Sequence, residues 1–306
     1  METIKVLLGD PRHHTAGVHS TYVPVGIGYI ATYLSAIIPT QNFEVKISVD
    51  PDEILDLIDE WKPNILGFSS YIWNSNLSYR FCEYAKEKND DILCILGGPE
   101  FPSGTNQTSF TETVRKECFD YLKEKPCIDY YTYSDGENAF ASIVMKYIKT
   151  GFSSKLMRNF NVIAEGSMNL SSDMQNILIG EPITRSGLSN KVDGRDFIPS
   201  PYLSGHLDKF LNGKFIPSFE TARGCPFLCS FCDQGLDEAK IVSFSTKRIS
   251  EELDYIYEKV SKFSGTRSIE FHDSNWGMYK KDVELADYLL KLMNEKDWPS
   301  YIGIST

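Results

Sequence analysis

The sequence is short of cationic charge, of cysteine and of long apolar runs. Against 42 Asp and Glu it has 31 Lys and Arg, a formal net charge of −11. Nucleic acids and anionic membrane surfaces are held by concentrated Lys and Arg, so neither is an expected partner. The longest apolar-leaning run, "VPVGIGYIATYLSAII", is too short and too polar to span a bilayer. The opening "METIKVLLGDPRHH" has no basic stretch followed by a signal-type apolar segment. These absences predict a soluble cytoplasmic protein whose thiols stay reduced. The cysteines number seven, an odd count at irregular spacing, which does not make a disulfide framework. No internal repeat or low-complexity tract is present.

What is present is a chain of 306 residues, 42% hydrophobic, enough to build about two domains. Apolar strand-like runs ("TIKVLLGD", "FEVKISVD", "PNILGFSSYIW", "DILCILGGPEFP", "CIDYYTYS") alternate with stretches of helical spacing. Pro24 and Pro51 stand at helix starts, and Asn74 stands as the cap of a third helix. Helices are also expected around 109–124 and from Gly136. Strands alternating with helices predict a parallel, doubly wound sheet over residues 1–150. Residues 151–215, rich in Ser, Asn, Gly and Pro, are read as an ordered connector. Its "FIPSPYL" carries Phe, Tyr and Leu and is expected to dock rather than float. The alternation restarts over 216–306, with strands at 216–222, 268–273 and 300–305. A helix capped by Ser245 and another from Lys280 lie between them.

The stretch "ETARGCPFLCSFCDQG" crowds Cys225, Cys229 and Cys232 into a loop just after a strand. That is the usual place for a site in a parallel α/β fold. A structural zinc site wants four ligands, and the next candidate is the distant His272. A Cys₃His zinc site and a chance cluster of buried thiols therefore stay open as readings. The third is an iron–sulfur cubane held by three thiolates, with one iron open to an external ligand. Cys82, Cys94, Cys118 and Cys127, in apolar or helical contexts, are read as small buried hydrophobes.

The spacing of "CPFLCSFC", with Phe231 before the last cysteine and "RG" before the first, resembles the signature of radical S-adenosylmethionine (SAM) enzymes. The resemblance implies that Cys225, Cys229 and Cys232 bind a [4Fe-4S] cluster. SAM would chelate its open iron and be cleaved by one electron to methionine and a 5′-deoxyadenosyl radical. Phe231 would pack near the adenine. "FHDSNWG" resembles the segment that supports SAM binding, which makes Asp273 and Asn275 candidates. It does not spell that family's Gly-Gly-Glu motif, and a strand-end turn capped by Asp and Asn is the competing reading.

The first half extends the resemblance. "PVGIGYIATYL", "ILGFSSYIWN", "ILGGPEFP" and "SDGENAF" are similar to landmarks of the cobalamin-binding domain in the B12-dependent radical SAM class. By that likeness Ser69 and Ser70 would offer hydroxyls at a strand end. Gly97 and Gly98 would let backbone approach a large ligand closely; ordinary tight turns remain the alternative. One departure matters. Cobalamin proteins that ligate cobalt with a histidine carry Asp-x-His-x-x-Gly, and here "RHHTAG" places His14 and Gly17 correctly but Arg12 where the Asp belongs. Without that orienting carboxylate, cobalamin is expected to bind without histidine ligation, leaving His13, His14 and His19 as loop residues.

The expectation is thus an α/β chain: a Rossmann-like cobalamin-binding-type domain, then the first βα units of a radical SAM partial TIM barrel. Its function would be reductive SAM cleavage coupled to methyl transfer to, or radical rearrangement of, an unactivated small-molecule or biosynthetic-intermediate substrate. An electron donor such as flavodoxin or ferredoxin is implied. A methylthiotransferase is the alternative, although Cys82, Cys94, Cys118 and Cys127 lack the arrangement a second cluster needs. A non-catalytic metal- or cobalamin-binding fragment is another. With three strands in the second series, the chain is expected to be the N-terminal part of a longer protein or a truncated gene product.

Overall fold

A computed structural model describes residues 3–13, 21–38, 43–101, 112–151, 167–168, 176–180, 196–227, 229 and 241–305. The chain divides into two compact units. The first takes in Met1–His19, Tyr33–Gly104 and Ser109–Thr184; the second takes in Ser20–Thr32, Thr105–Thr108 and Arg185–Thr306.

The first unit runs β1 (Ile4–Gly9), α1 (Val25–Ile37, which begins in the second unit), β2 (Phe43–Ser48), α2 (Pro51–Asp56), β3 (Ile65–Ser69), α3 (Ser75–Lys88), β4 (Leu93–Gly97), α4 (Glu112–Lys123), β5 (Tyr130–Ser134), α5 (Gly136–Lys149), β6 (Ser167–Met168) and β7 (Asn176–Gly180). The sheet order is β2-β1-β3-β4-β5-β7-β6, parallel except for β6 against β7. β3 and β4 are buried along almost their whole length, as strands covered on both faces must be, whereas the edge strand β2 begins by alternating. Pro51 is the first residue of α2. Asp50 caps that helix through the amides of Asp52 and Glu53. Phe68, Phe81, Leu96, Phe101 and Tyr131 lie in the core on one side of the sheet. Burying each such side chain contributes about 2–3 kcal/mol.

The parallel sheet runs past residue 150, because the short apolar run "NILIG" pairs with β5 in full register. Asn74 does stand before α3, but its side chain makes no cap bond there. It is committed elsewhere, as described below.

The second unit holds β8 (Ser218–Phe219), β9 (Ala222–Arg223), β10 (Val242–Ser243), α6 (Thr246–Val260), β11 (Ser268–Phe271), α7 (Lys280–Lys296) and β12 (Tyr301–Gly303). β8, β11 and β12 form a parallel sheet in the order β12-β11-β8, and β9 pairs antiparallel with β10. Ser245 caps α6 by accepting from the Arg248 amide. Ile249, Leu253, Ile256 and Val260 are the buried stripe of α6; Leu285, Leu289 and Leu292 are that of α7. The "FIPSPYL" segment is docked: Ile198 and Tyr202 are buried, and the Tyr202 hydroxyl donates to the Ser218 carbonyl at 2.7 Å. No described helix is long and apolar enough to cross a membrane.

Candidate functional site

In the first unit the strand order reverses between β1 and β3, which opens the crevice beyond their C-terminal ends. Asp10 and Ser69 stand there. The Ser69 hydroxyl donates to Asp10 Oδ1 at 2.6 Å, and Asn74 Nδ2 donates to the same oxygen at 3.0 Å. Asn74 Nδ2 also reaches Ser69 Oγ at 2.9 Å, and Asn74 Oδ1 accepts from the Tyr71 amide at 2.8 Å. Arg12 Nη2 pairs with Asp10 Oδ2 at 3.0 Å. One carboxylate therefore ties the end of β1 to the end of β3 and to the turn that starts α3. The sequence reading picked Ser69 but missed Asp10 and Asn74; an Asp directly after a buried strand was the available signal.

The neighbouring candidates have different surroundings. Ser70 is fully buried, its amide donating to the Gly97 carbonyl at 2.7 Å. Its side chain lies beside the phenols of Tyr121 and Tyr131, which burial pushes above the usual range. A Cβ on Gly97 would fall 2.3 Å from Thr132 Oγ1. Gly98 has φ +134°, and a Cβ there would fall 2.5 Å from the Ser70 carbonyl oxygen. Both glycines thus have a packing reason within the protein as well as any role toward a ligand.

The same edge carries exposed apolar surface. Ile72 is 79% and Trp73 59% exposed, and the Trp73 ring stacks on Tyr71 at 4.6 Å between centroids. Tyr71, Ile72 and Trp73 thus put apolar surface beside these polar anchors at the topological switch point. His13 Nε2 lies 2.8 Å from the Trp73 carbonyl oxygen. His14, Gly17 and His19 lie outside the described residues.

In the second unit Cys225 and Cys229 are described; Phe231 and Cys232 lie outside the described residues. Among the described residues no three His, Cys, Asp or Glu side chains converge as a metal site. Gly224, at φ +100°, turns the chain into Cys225, a conformation that suits glycine. Cys225 is half-buried and Cys229 exposed.

The structure brings both polar candidates of the "FHDSNWG" loop to this turn. Asp273 Oδ1 accepts from the buried Thr221 amide at 2.6 Å, and Oδ2 from the Thr221 hydroxyl. Lys281 Nζ donates to Thr221 Oγ1 at 2.6 Å and lies 3.8 Å from Asp273 Oδ2. Burial pushes the Asp273 carboxyl up; the bonds from Thr221 and the Lys281 charge oppose that. Asn275 Nδ2 donates to Cys225 Sγ at 3.0 Å. His272 is held below its ordinary range by burial and packs edge-on against Tyr22 at 5.5 Å. Cys82, Cys94 and Cys118 are buried, as small hydrophobes would be; Cys127 is half-buried. Of the three motif cysteines, Cys225 and Cys229 are described on this loop, and the third follows three residues after Cys229 in the sequence.

Comparison with known proteins finds a family match and several relatives. Residues 14–144 match the B12 binding domain family. The chain is 23% identical, over 93% of its length, to the cobalamin-dependent radical SAM methyltransferase TokK of Streptomyces tokunonensis, covering 38% of that protein. It is 23% identical, with the same two coverages, to the 2-(S-pantetheinyl)-carbapenam-3-carboxylate methyltransferase of Streptantibioticus cattleyicolor. An uncharacterized methyltransferase of Pyrococcus horikoshii, PH0819, is 28% identical over 96% of this chain and 58% of its own. Among solved structures, the cobalamin-dependent SAM radical enzyme OxsB, with aqua-cobalamin and SAM bound, superposes with TM-score 0.58 at 19% identity. That match covers 95% of this chain and 37% of OxsB and is a likeness of fold. The chain thus spans about two-fifths of the length of the first two relatives.

Proposed function

We propose that this chain, a relative of cobalamin-dependent radical SAM methyltransferases with a B12 binding domain over residues 14–144, carries the cobalamin- and cluster-binding portions of such an enzyme. The observation that carries the reading is the occurrence, in one chain, of that domain and of a cysteine loop at the C-terminal edge of a second parallel sheet. When bound, the [4Fe-4S] cluster supplies an electron for reductive cleavage of SAM, and cobalamin supplies a carrier for the methyl group. The protein's own residues do the rest. Cys225, Cys229 and Cys232 would hold three irons and leave the fourth open. Phe231 would pack against the adenine. Asp273 fixes the approach to the cysteine turn rather than facing it as a free carboxylate, since both its oxygens are taken by Thr221.

In the first unit, Asp10, Ser69 and Asn74 hold the β3 loop so that Tyr71 and Trp73 present their surface at the strand ends. Arg12 is engaged by Asp10, so the position that would orient a ligating His14 carries a cation instead. Cobalamin is therefore read as bound without histidine ligation. The substrate is a small molecule or biosynthetic intermediate, and a flavodoxin or ferredoxin is the expected electron donor.

Anaerobic reconstitution tests the reading. The chain should take up four irons and four sulfides, and alanine at Cys225, Cys229 or Cys232 should abolish uptake. Loaded with cobalamin, His14→Ala should keep the parent's visible spectrum. One tightly held zinc without sulfide refutes the radical SAM reading, and a spectral change in the His14 variant refutes unligated binding.

A further inference from the structure

The Asn275 side chain meets the cysteine turn directly. Its amide nitrogen is 3.0 Å from Cys225 Sγ, a residue fifty positions earlier in the chain. The orientation follows from chemistry: a thiolate accepts, so the nitrogen end of the amide and not its oxygen must face it.

Both ends of this contact are fixed from outside it. Thr221, four residues before Cys225, is bound through its amide to Asp273, two residues before Asn275. The Trp276 amide, immediately after Asn275, donates to the Ser305 carbonyl at 3.0 Å. The Gly277 and Tyr279 amides both donate to Asp282 Oδ2 at 2.9 Å, which holds the far end of the loop. Gly224 sets the turn into Cys225. The contact is therefore placed by five neighbouring constraints, four on the Asn275 loop and one at the turn into Cys225, and does not depend on its own bond for position.

We propose that Asn275 donates a hydrogen bond to the Cys225 thiolate of the bound cluster and raises the cluster's reduction potential. This rests on the cluster reading given above. The physical reason is electrostatic. Reduction adds negative charge to a cluster already carrying thiolates, and a donor aimed at sulfur stabilises the more negative state. Asparagine suits the position because it donates without a charge. Aspartate there would offer only acceptors and a second negative charge.

The reconstituted chain and its Asn275→Leu and Asn275→Asp variants are compared by three measurements. These are iron and sulfide content, EPR-monitored redox titration, and the change in the EPR signal on adding SAM. The expected result is equal iron and sulfide in all three, with midpoint potentials more negative in both variants and most negative in Asn275→Asp. Unchanged potentials at equal cluster content overturn the proposal. So does a weakened SAM response at unchanged potential, which would assign Asn275 to SAM. Loss of the cluster from both folded variants would reduce Asn275 to a support for Cys225 and overturn the redox role. A parent chain that takes up no iron and sulfide fails before any variant is made, and overturns the cluster reading itself.

Discussion

Asp273→Ala should loosen the approach to the cysteine turn while leaving the first unit untouched. Thr221 is fully buried and Asp273 nearly so. Removing the carboxylate strands the Thr221 amide, which has no other acceptor in view, and takes the partner from the Thr221 hydroxyl. A buried donor left unsatisfied costs about 1–3 kcal/mol, so the two together cost about 3 kcal/mol. Lys281 adds little, because it keeps Asp282 Oδ1 at 3.3 Å. At about 1.4 kcal/mol per factor of ten, local opening should become roughly 100-fold more frequent. Asp273→Asn keeps an acceptor for the amide and should change opening by about tenfold. The assay is hydrogen exchange read on peptides covering β8 to Arg223 and β11 to Trp276, with β3 and β4 peptides as the internal reference. Exchange within about threefold of the parent in the Asp273→Ala peptides would refute the reasoning, because it would mean the carboxylate holds nothing. Equal acceleration in β3 and β4 would refute it too, by making the effect global.

Three further substitutions probe the first unit. Gly98→Ala combines a left-handed φ of +134° with a contact of 2.5 Å to backbone, and should cost at least about 3 kcal/mol and lower the apo melting temperature by about 6–12 °C. Gly97→Ala meets a threonine side chain that can turn away, so its cost should be smaller; a reversed order would overturn the packing account. Burial lowers Lys146 from its usual 10.5 to about 8. Between those values the unfolded chain binds the proton and the folded one does not, so stability should rise with pH through that window, and the cost of charging is fully present below it. Lys146→Met should raise stability at pH 7 and flatten that rise; parallel pH profiles of melting for parent and variant would show that the burial is not felt.

Much of this was legible because it is local. The alternation of strands and helices, the Pro51 and Ser245 helix starts and the cysteine spacing are all written within short windows of sequence. What escaped depends on contacts across the chain. β7 is a five-residue apolar run set among Ser, Asn and Gly, and only its parallel pairing with β5 makes it a strand. Asn74 was read as a helix cap, a sound guess from propensity. Its Oδ1, the atom a cap would use, accepts from the Tyr71 amide instead, while its amide nitrogen is held by Asp10 and Ser69. Cys225 and Asn275 were each picked out, yet nothing in their spacing announces that one donates to the other.

The two units solve one problem in the same way. In each, an aspartate just past the C-terminal end of a parallel strand accepts from a hydroxyl at or just beyond the end of the strand beside it. Asp10 after β1 takes Ser69 of β3, and Asp273 after β11 takes Thr221, two residues beyond β8. Parallel strands stop at this edge with their ladder unfinished, and the loops that follow must carry the site. A carboxylate offers acceptor positions enough to stitch a neighbouring strand end and a loop together at once. The settings differ: Asp10 is partly exposed and paired with Arg12, whereas Asp273 is buried beside Lys281. A buried carboxylate is the stiffer clamp, since losing any partner strands a charge in a poorly hydrated place. The stiffer of the two sits beside the cysteine turn, where, on the function proposed above, thiolates would converge on irons at fixed distances. The looser one holds the Tyr71–Trp73 surface, which on the same proposal would have only to lie against a macrocycle.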